Sequence, residues 1–291
     1  MPPYPIAITI DDNYIQHACV MLQSLHDHVY SVTVVYCISD NLNDKNKNIL
    51  AAHFKNSHLN IIFINFNNAV LPQLPIKLTD HVSAVTFFRI WLPQLLTQTK
   101  QVVFLDTDIV INDDISPLLN FNLDDYPIAA VPDLGISTEK KLKLGMDACK
   151  SYFNAGVMVI NLEYFRQYNL TQQLANFVST KPELCEFWDQ DALNAVINGN
   201  FLELEYRYNV QSSSYGFGEN EKVKQALISP AIVHYTGGGS CKPWYYQNSH
   251  PLKHLYHKKL KKTPFRFSYP PDLPRSWHIL RKVKYIITQT L

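Results

Sequence analysis

In its first hundred residues the chain alternates between short apolar runs and longer stretches with one apolar face, and this constrains its fold more than any other feature. Pro5–Ile10 (PIAITI) is an apolar run that stops at Asp11-Asp12-Asn13. Tyr14–His28 then carries Ile15, Ala18, Cys19, Leu22 and Leu25, the spacing of one helix face. Val32–Ile38 (VTVVYCI) is rich in β-branched residues and predicts a buried strand. Asn43–Phe54 predicts a polar-faced helix and Leu59–Phe66 another strand. Strand, helix, strand, helix, strand implies a parallel sheet covered by helices, with its ligand site at the carboxyl ends of the strands.

Further along, Ser83–Leu96 predicts a helix broken or kinked at Pro93. Gln101–Leu105 (QVVFL) predicts a buried strand that Ile109–Ile111 continues, and Ile128–Val131, Gly156–Asn161 and Ala231–Tyr235 read as further core strands. Asp189–Asn198 predicts a helix with an acidic start, which the helix dipole favours. There is no internal repeat and no Pro/Gly/Ser linker in the first 250 residues, so they read as one α/β domain with a mostly parallel central sheet.

Net charge is +1, less basic than a general nucleic-acid binder. The balance is uneven. Residues 252–291 hold ten Lys/Arg and one acid, Asp272, so the other 251 residues carry a net −8. Five cysteines without C-x-x-C spacing argue against a disulfide framework or a zinc site and for a reducing compartment. No Lys or Arg precedes Lys45, and no apolar run approaches the length of a membrane span; the expectation is a cytoplasmic protein.

Several short clusters carry chemistry. Asp106-Thr107-Asp108 follows the VVFL strand; residues i and i+2 of an extended chain point the same way, so both carboxylates can share one hard divalent cation. The bland alternative is a solvated strand end. His234 ends AIVHY ahead of Thr236-Gly237-Gly238-Gly239 and Lys242-Pro243-Trp244. A neutral imidazole suits as a third ligand, the glycines permit close approach to a phosphate, and Lys242 adds a point charge. The alternative is a structural histidine in a turn. Asp11-Asp12-Asn13-Tyr14 lacks the glycines of a phosphate cradle; it offers polar groups for a base or ribose edge and a stacking face, or else an ordinary Asx helix cap. Asn154-Ala155-Gly156 and Asp189-Gln190-Asp191 add hydroxyl-reading groups, and Arg89, within FFRIWL, must be paired or reach a cleft.

Taken in order, PIAITIDDNY, HVSAVTFFRI, VVFLDTDIVI, YFNAGVMVINL, FWDQDALN and VHYTGGGSCKPW resemble family 8 of the retaining glycosyltransferases over residues 4–250. The bacterial lipooligosaccharide and lipopolysaccharide galactosyl- and glucosyltransferases are the nearer resemblance, and glycogenin is more distant. The resemblance implies the GT-A fold, UDP-galactose or UDP-glucose as donor, and Mn²⁺ or Mg²⁺. It implies that Asp106, Asp108 and His234 hold the metal, with Thr107 beside them. Thr9, Asp11, Asn13 and Tyr14 would hold uridine, and His81, Gly237 and Lys242 would touch phosphates. Arg89, Asn154, Ala155, Asp189 and Gln190 would line the donor sugar, with Asp133 near the acceptor. Eight positions separate His234 from Lys242, a longer gap than the family commonly shows.

On this reading the acceptor hydroxyl attacks from the face that UDP leaves, because Gln190 is a poor nucleophile; Asp189 is the fallback nucleophile. A metal-dependent UDP-sugar hydrolase and a non-catalytic nucleotide-sugar or membrane-binding module are the alternatives. The basic segment 251–291, with Trp277 and HILRKVKYII at 278–287, is expected to dock on an anionic membrane surface, the inner face of the plasma membrane, where a lipid-linked glycan acceptor would be met.

Overall fold

The computed structural model describes residues 4–66 and 84–273. In chain order the elements are β1 (Tyr4–Thr9), α1 (Ile15–His28), β2 (Thr33–Ser39), α2 (Asp44–His53), β3 (Leu59–Asn65), a 3-10 stretch (Ala84–Trp91), α3 (Leu92–Leu95), β4 (Gln101–Leu105) and β5 (Ile109–Ile111). There follow α4 (Ser116–Leu119), β6 (Ile128–Pro132), α5 (Thr138–Lys143), β7 (Phe153–Asn161), α6 (Leu162–Gln167), α7 (Leu170–Thr180), α8 (Trp188–Ile197) and β8 (Leu202–Glu203). The last are β9 (Val210–Gln211), α9 (Glu221–Ile228), β10 (Ile232–His234) and α10 (Lys253–Leu260).

The main sheet has seven strands in the order β3-β2-β1-β4-β7-β6-β8. Neighbours pair in parallel except at β7, which runs antiparallel to both β4 and β6. That single reversal matters for function. It brings the amino end of β7, with Asn154, Ala155 and Gly156, to the edge where β1 and β4 end. The Asp106 N–H donates to the Gly156 carbonyl at 2.8 Å, tying the two together.

Strand side chains alternate between two cores, as a period of two requires. Ile6, Ile8, Val103, Leu105, Val157 and Val159 pack on one face with Ala18, Cys19, Leu22 and Leu25 of α1. Ala7, Val102, Phe104, Met158 and Ile160 pack on the other with Phe87, Phe88 and Ile90 of the 3-10 stretch and with α7 and α8. Both faces are covered, which explains why the strands read as continuous apolar runs.

Three expectations need correction. Ile109–Ile111 does not continue β4: it belongs to a second sheet, β5-β10-β9, in which β10 is antiparallel to β5 and parallel to β9. Asp106-Thr107-Asp108 is therefore a turn between two sheets, not an extended run. The stretch before Pro93 is 3-10, and Pro93 sits in the first turn of the short α3, where its missing N–H costs nothing. The charge-rich segment after residue 250 is in part docked structure: α10 packs on α1, Lys259 is buried, and its Nζ lies 2.8 Å from Asp27 Oδ2. Lys262 meets the same oxygen at 2.8 Å. Residues 278–287, expected to be the membrane-docking part, lie outside the described residues, as does His81. Among the described residues no helix is long and apolar enough to cross a membrane.

Candidate active site

The turn out of β4 and the end of β10 meet. One ligand atom each from Asp106, Asp108 and His234 all lie within 4.8 Å of one another. His234 Nε2 is 3.2 Å from Asp108 Oδ1 and 3.8 Å from Asp106 Oδ2. The register His234↔Ile109 places the imidazole beside this turn, so the second sheet is what delivers it. Two carboxylates and an imidazole form a donor set suited to Mn²⁺ or Mg²⁺.

Gly156 lies directly against this set. A Cβ there would come within 2.1 Å of His234 Cε1 and 2.8 Å of Asp106 Oδ2. The ligands close over bare backbone, a cradle that any side chain would fill. The donor set and the cradle together fit a divalent cation.

The remaining charges are arranged around these ligands. Arg89 is buried; its Nη2 donates to Asp106 Oδ1 at 2.9 Å and its Nη1 to the Ala155 carbonyl at 2.7 Å. Arg89 Nε is 2.8 Å from Asp189 Oδ2, but its hydrogen is directed to the Thr86 carbonyl, so that oxygen gains charge attraction without a hydrogen bond. Burial pushes the Asp189 carboxyl up to about 7; Arg89 opposes the shift and Asp106 adds to it. Burial also pushes Asp108 up, but Lys242 and His234 together pull it well below the usual carboxylate range. Lys242 Nζ contacts Asp108 Oδ2 and donates to the Tyr235 carbonyl at 2.7 Å. The long gap from His234 to Lys242 is taken up by a loop in which Gly237 and Gly239 adopt positive φ. Thr107, in the same turn, is buried.

Asn154 and Gln190 meet as well. Asn154 Nδ2 donates to Gln190 Oε1 at 3.1 Å, and the Ala155 N–H donates to the same oxygen at 3.0 Å. Burial raises the Asp133 carboxyl, which accepts from the Gly135 N–H at 3.0 Å and is drawn down by the nearby Asn154 and Gln190 side chains. The peptide leading into α8 is strained: Trp188 has φ +50°, uncommon for so large a side chain. It is held by Asp191, which accepts from the Phe187 N–H at 2.6 Å and from Tyr152 Oη at 2.8 Å and is paired with Lys140 at 2.9 Å.

At the end of β1, beyond Thr9, Asp11 Oδ1 accepts from the N–H groups of Asn13 and Tyr14, both at 3.0 Å. This is an Asx turn, and it presents Tyr14 near Asp108 and Asp106. Burial, with Asp108 and Asp11 nearby, pushes the Tyr14 phenol up to about 12. Its ring meets Trp244 edge-on at 6.0 Å, and Trp244 in turn stacks on His17 at 3.6 Å.

The profile of glycosyl transferase family 8 matches residues 5–248, most of the chain. The chain belongs to glycosyl transferase family 8. It is 29% identical over 262 residues to general stress protein A of Bacillus subtilis, covering 84% of this chain and 89% of that protein. It is 27% identical over 292 residues to the lipopolysaccharide 1,2-glucosyltransferase of Escherichia coli, covering 98% and 85%. Among solved structures, galactosyltransferase LgtC in complex with donor and acceptor sugar analogues superposes with a TM-score of 0.80 at 24% identity, covering 94% of this chain and 99% of that one. The shared fold is GT-A, a mostly parallel central sheet with flanking helices. The chain is a glycosyltransferase with lipopolysaccharide glycosyltransferases among its relatives.

Sequence reasoning missed two members of this site. Asn209, almost fully buried, binds His234; it ends the short 3-10 turn Tyr206–Asn209, with no motif around it. Gly156 was grouped with hydroxyl-reading residues, whereas its role is steric.

Proposed function

We propose that this family 8 enzyme is a retaining, metal-dependent hexosyltransferase. It moves galactose or glucose from a UDP-sugar to a saccharide acceptor of lipopolysaccharide, lipooligosaccharide or another cell-surface glycan. The observation that carries the reading is the convergence of Asp106, Asp108 and His234 over Gly156, on the edge that also presents Tyr14 and the Arg89–Asp189 pair.

A divalent cation bound there supplies Lewis-acid stabilisation of the charge that grows on the departing diphosphate. Asp106, Asp108 and His234 would hold it. Arg89 keeps Asp106 oriented and offsets Asp189 behind it. Lys242, on its glycine-hinged loop, supplies a cation for phosphate, and Gly237 permits close approach. Tyr14 offers a face for uracil, with Thr9, Asp11 and Asn13 beside it; His81 is proposed for phosphate on the resemblance alone. Asn154, Ala155 and Gln190 line the sugar side.

Retention by front-side return is supported by two features. Gln190 Oε1 already accepts two hydrogen bonds, which leaves its carbonyl oxygen engaged rather than free to attack. Asp189 is buried behind Arg89, and a carboxyl raised to about 7 is in part protonated at neutral pH, a form that cannot attack.

The decisive experiment presents an array of UDP-hexoses and oligosaccharide acceptors with Mn²⁺, read by mass, with the product anomer assigned by NMR. The reading expects acceptor-dependent transfer with retained configuration. Sugar release that ignores the acceptor would instead make the chain a hydrolase, and tighter binding of GDP than of UDP would overturn the donor assignment.

We also propose that the chain works in the cytoplasm at the inner face of the plasma membrane. Arg275, Arg281, Lys282 and Lys284 would meet anionic headgroups, at about 1 kcal/mol for each residue near the surface. Because residues 251–273 pack on the body, the test is truncation after residue 273 rather than after 250. Vesicle co-sedimentation should then lose its anionic-lipid and salt dependence, while transfer to water-soluble acceptors stays unchanged.

A further inference from the structure

Four side chains from separate elements form one hydrogen-bonded line: His234 at the end of β10, Asn209 before β9, Asn154 on β7 and Gln190 on α8. Its direction can be worked out from the backbone, because a main-chain N–H can only donate. The Gly156 N–H lies 3.0 Å from one terminal atom of the Asn154 amide, so that atom is the carbonyl oxygen. Asn209 must then offer its Nδ2 to the same oxygen, at 2.8 Å. This turns Asn209 Oδ1 toward His234 Nδ1, at 2.9 Å. An oxygen acceptor there requires a hydrogen on Nδ1, so in the neutral imidazole Nε2 is bare and faces the two aspartates. A bare nitrogen lone pair beside two carboxylates is the arrangement of a ligand set, since a cation between them satisfies all three.

We propose that Asn209 is a positioning residue: it holds His234 in the Nδ1–H tautomer, aims Nε2 at the Asp106/Asp108 pair, and carries to the imidazole a polarity set by the backbone of β7. This deepens the metal-site reading and rests on it. The same Asn154 amide also donates to Gln190, whose oxygen the Ala155 N–H fixes as well, so two successive backbone N–H groups of β7 set the polarity on both the metal side and the sugar side of the site. Asn209 is shut off from water, so solvent cannot take over its role.

The test combines nitrogen NMR of ¹⁵N-histidine-labelled protein at pH 8.5, without metal, with calorimetric titration of Mn²⁺. The His234 signal is assigned by its loss in His234→Gln. Wild-type protein should show Nδ1 protonated. Asn209→Leu should move the proton to Nε2 and weaken Mn²⁺ binding about 10–100-fold, the range typical for loss of an outer partner of a ligating histidine. Asn209→Asp still offers an acceptor but gives up the donor to the Asn154 oxygen, so it should keep Nδ1–H and bind Mn²⁺ more tightly than Asn209→Leu does, a partial rescue that a merely space-filling residue would not give. If Asn209→Leu does not fold, Asn209→Asp decides alone: loss of Nδ1–H there overturns the proposal. It is also overturned if wild type carries the proton on Nε2, or if Asn209→Leu leaves tautomer and Mn²⁺ affinity unchanged. Wild-type protein that takes up no Mn²⁺ would sink the metal reading instead, and the tautomer comparison would still decide on Asn209.

Discussion

The molecule gathers charge in two places, by opposite rules. Where α10 meets α1, one carboxylate, Asp27, is shared by two lysines, Lys259 and Lys262, and by Gln23. At the edge of the sheets, three carboxylates, Asp106, Asp108 and Asp189, face two cations, Arg89 and Lys242. The first cluster satisfies its acid from within the chain. The second, with all three acids ionised, keeps a surplus of negative charge in partly buried ground, which a proton on Asp189 or an incoming cation can balance. A cluster that closes on itself holds the fold together, whereas one left short of positive charge is built to receive something.

The sharpest way to break this comparison is to remove the surplus. Asp106→Asn or Asp108→Asn should lower metal-dependent transfer by roughly 10³-fold or more, since a metal clamp supplies several kcal/mol of transition-state stabilisation. Neither change should unfold the protein, because the site then carries less uncompensated charge. Steady-state rates in Mn²⁺ beside thermal melts check both halves. Near wild-type turnover of both variants would remove the difference between the clusters.

The second test acts on shape alone. Gly156→Ala adds one methyl group whose Cβ would overlap His234 Cε1 at 2.1 Å. The imidazole must move, and misplacement of a reacting constellation by about 1 Å can cost on the order of 10²-fold in rate. Weakened Mn²⁺ binding should accompany that loss. If Gly156→Ala turned over normally, the ligands would not close over the backbone as described.

These residues also show how far the sequence could be read. The strands of the main sheet other than the two-residue β8 were legible, because burial writes continuous apolar runs, and the positions of Asp106, Asp108 and His234 where such runs stop could be read with them. The switch of Ile109–Ile111 into a second sheet was not, since its three apolar residues look the same whichever strand they pair with. The reversal of β7, which brings Asn154 and Gly156 to the site from an amino end, is likewise a matter of pairing that no local pattern carries. Asn209 was invisible for a further reason: a buried amide is defined by what it binds, and its partners lie 25 and 55 residues away in the chain. The basic stretch after residue 250 was read from composition as an appendage, because the acid that pairs with it lies on α1, more than 230 residues earlier.

The other side of the comparison predicts a loss of stability without loss of chemistry. Asp27→Asn leaves the buried Lys259 ammonium without its carboxylate, and breaking a buried pair in this way costs about 3 kcal/mol. Denaturant unfolding should report that cost, while turnover with water-soluble acceptors at a temperature where the variant is folded should stay near wild type. A drop in turnover as large as that of Asp106→Asn would mean that the two clusters are not separate in role.

The smallest effect, and the finest test, is how that stability gap changes with pH. Burial raises the Asp27 carboxyl, but hydrogen bonds from Lys259 and Lys262 overcome it and hold the group well below its ordinary value of 3.8. A carboxyl with a depressed native pKa stabilises the fold above its unfolded value and loses that contribution as pH falls through the native one. The gap between wild type and Asp27→Asn should therefore be full at pH 7 and shrink steadily below about pH 4. His28 Nε2, 3.2 Å from Lys259 Nζ, accepts only while neutral, so its protonation at mildly acid pH adds a loss in both proteins. Comparing the two chains below about pH 4, where His28 is protonated in both, keeps that background from varying with pH. A gap of the same size at pH 7 and pH 2.5 would show that Asp27 acts there through packing or neutral hydrogen bonds, and the contrast between a self-satisfied charge cluster and a cation-seeking one would lose its first half.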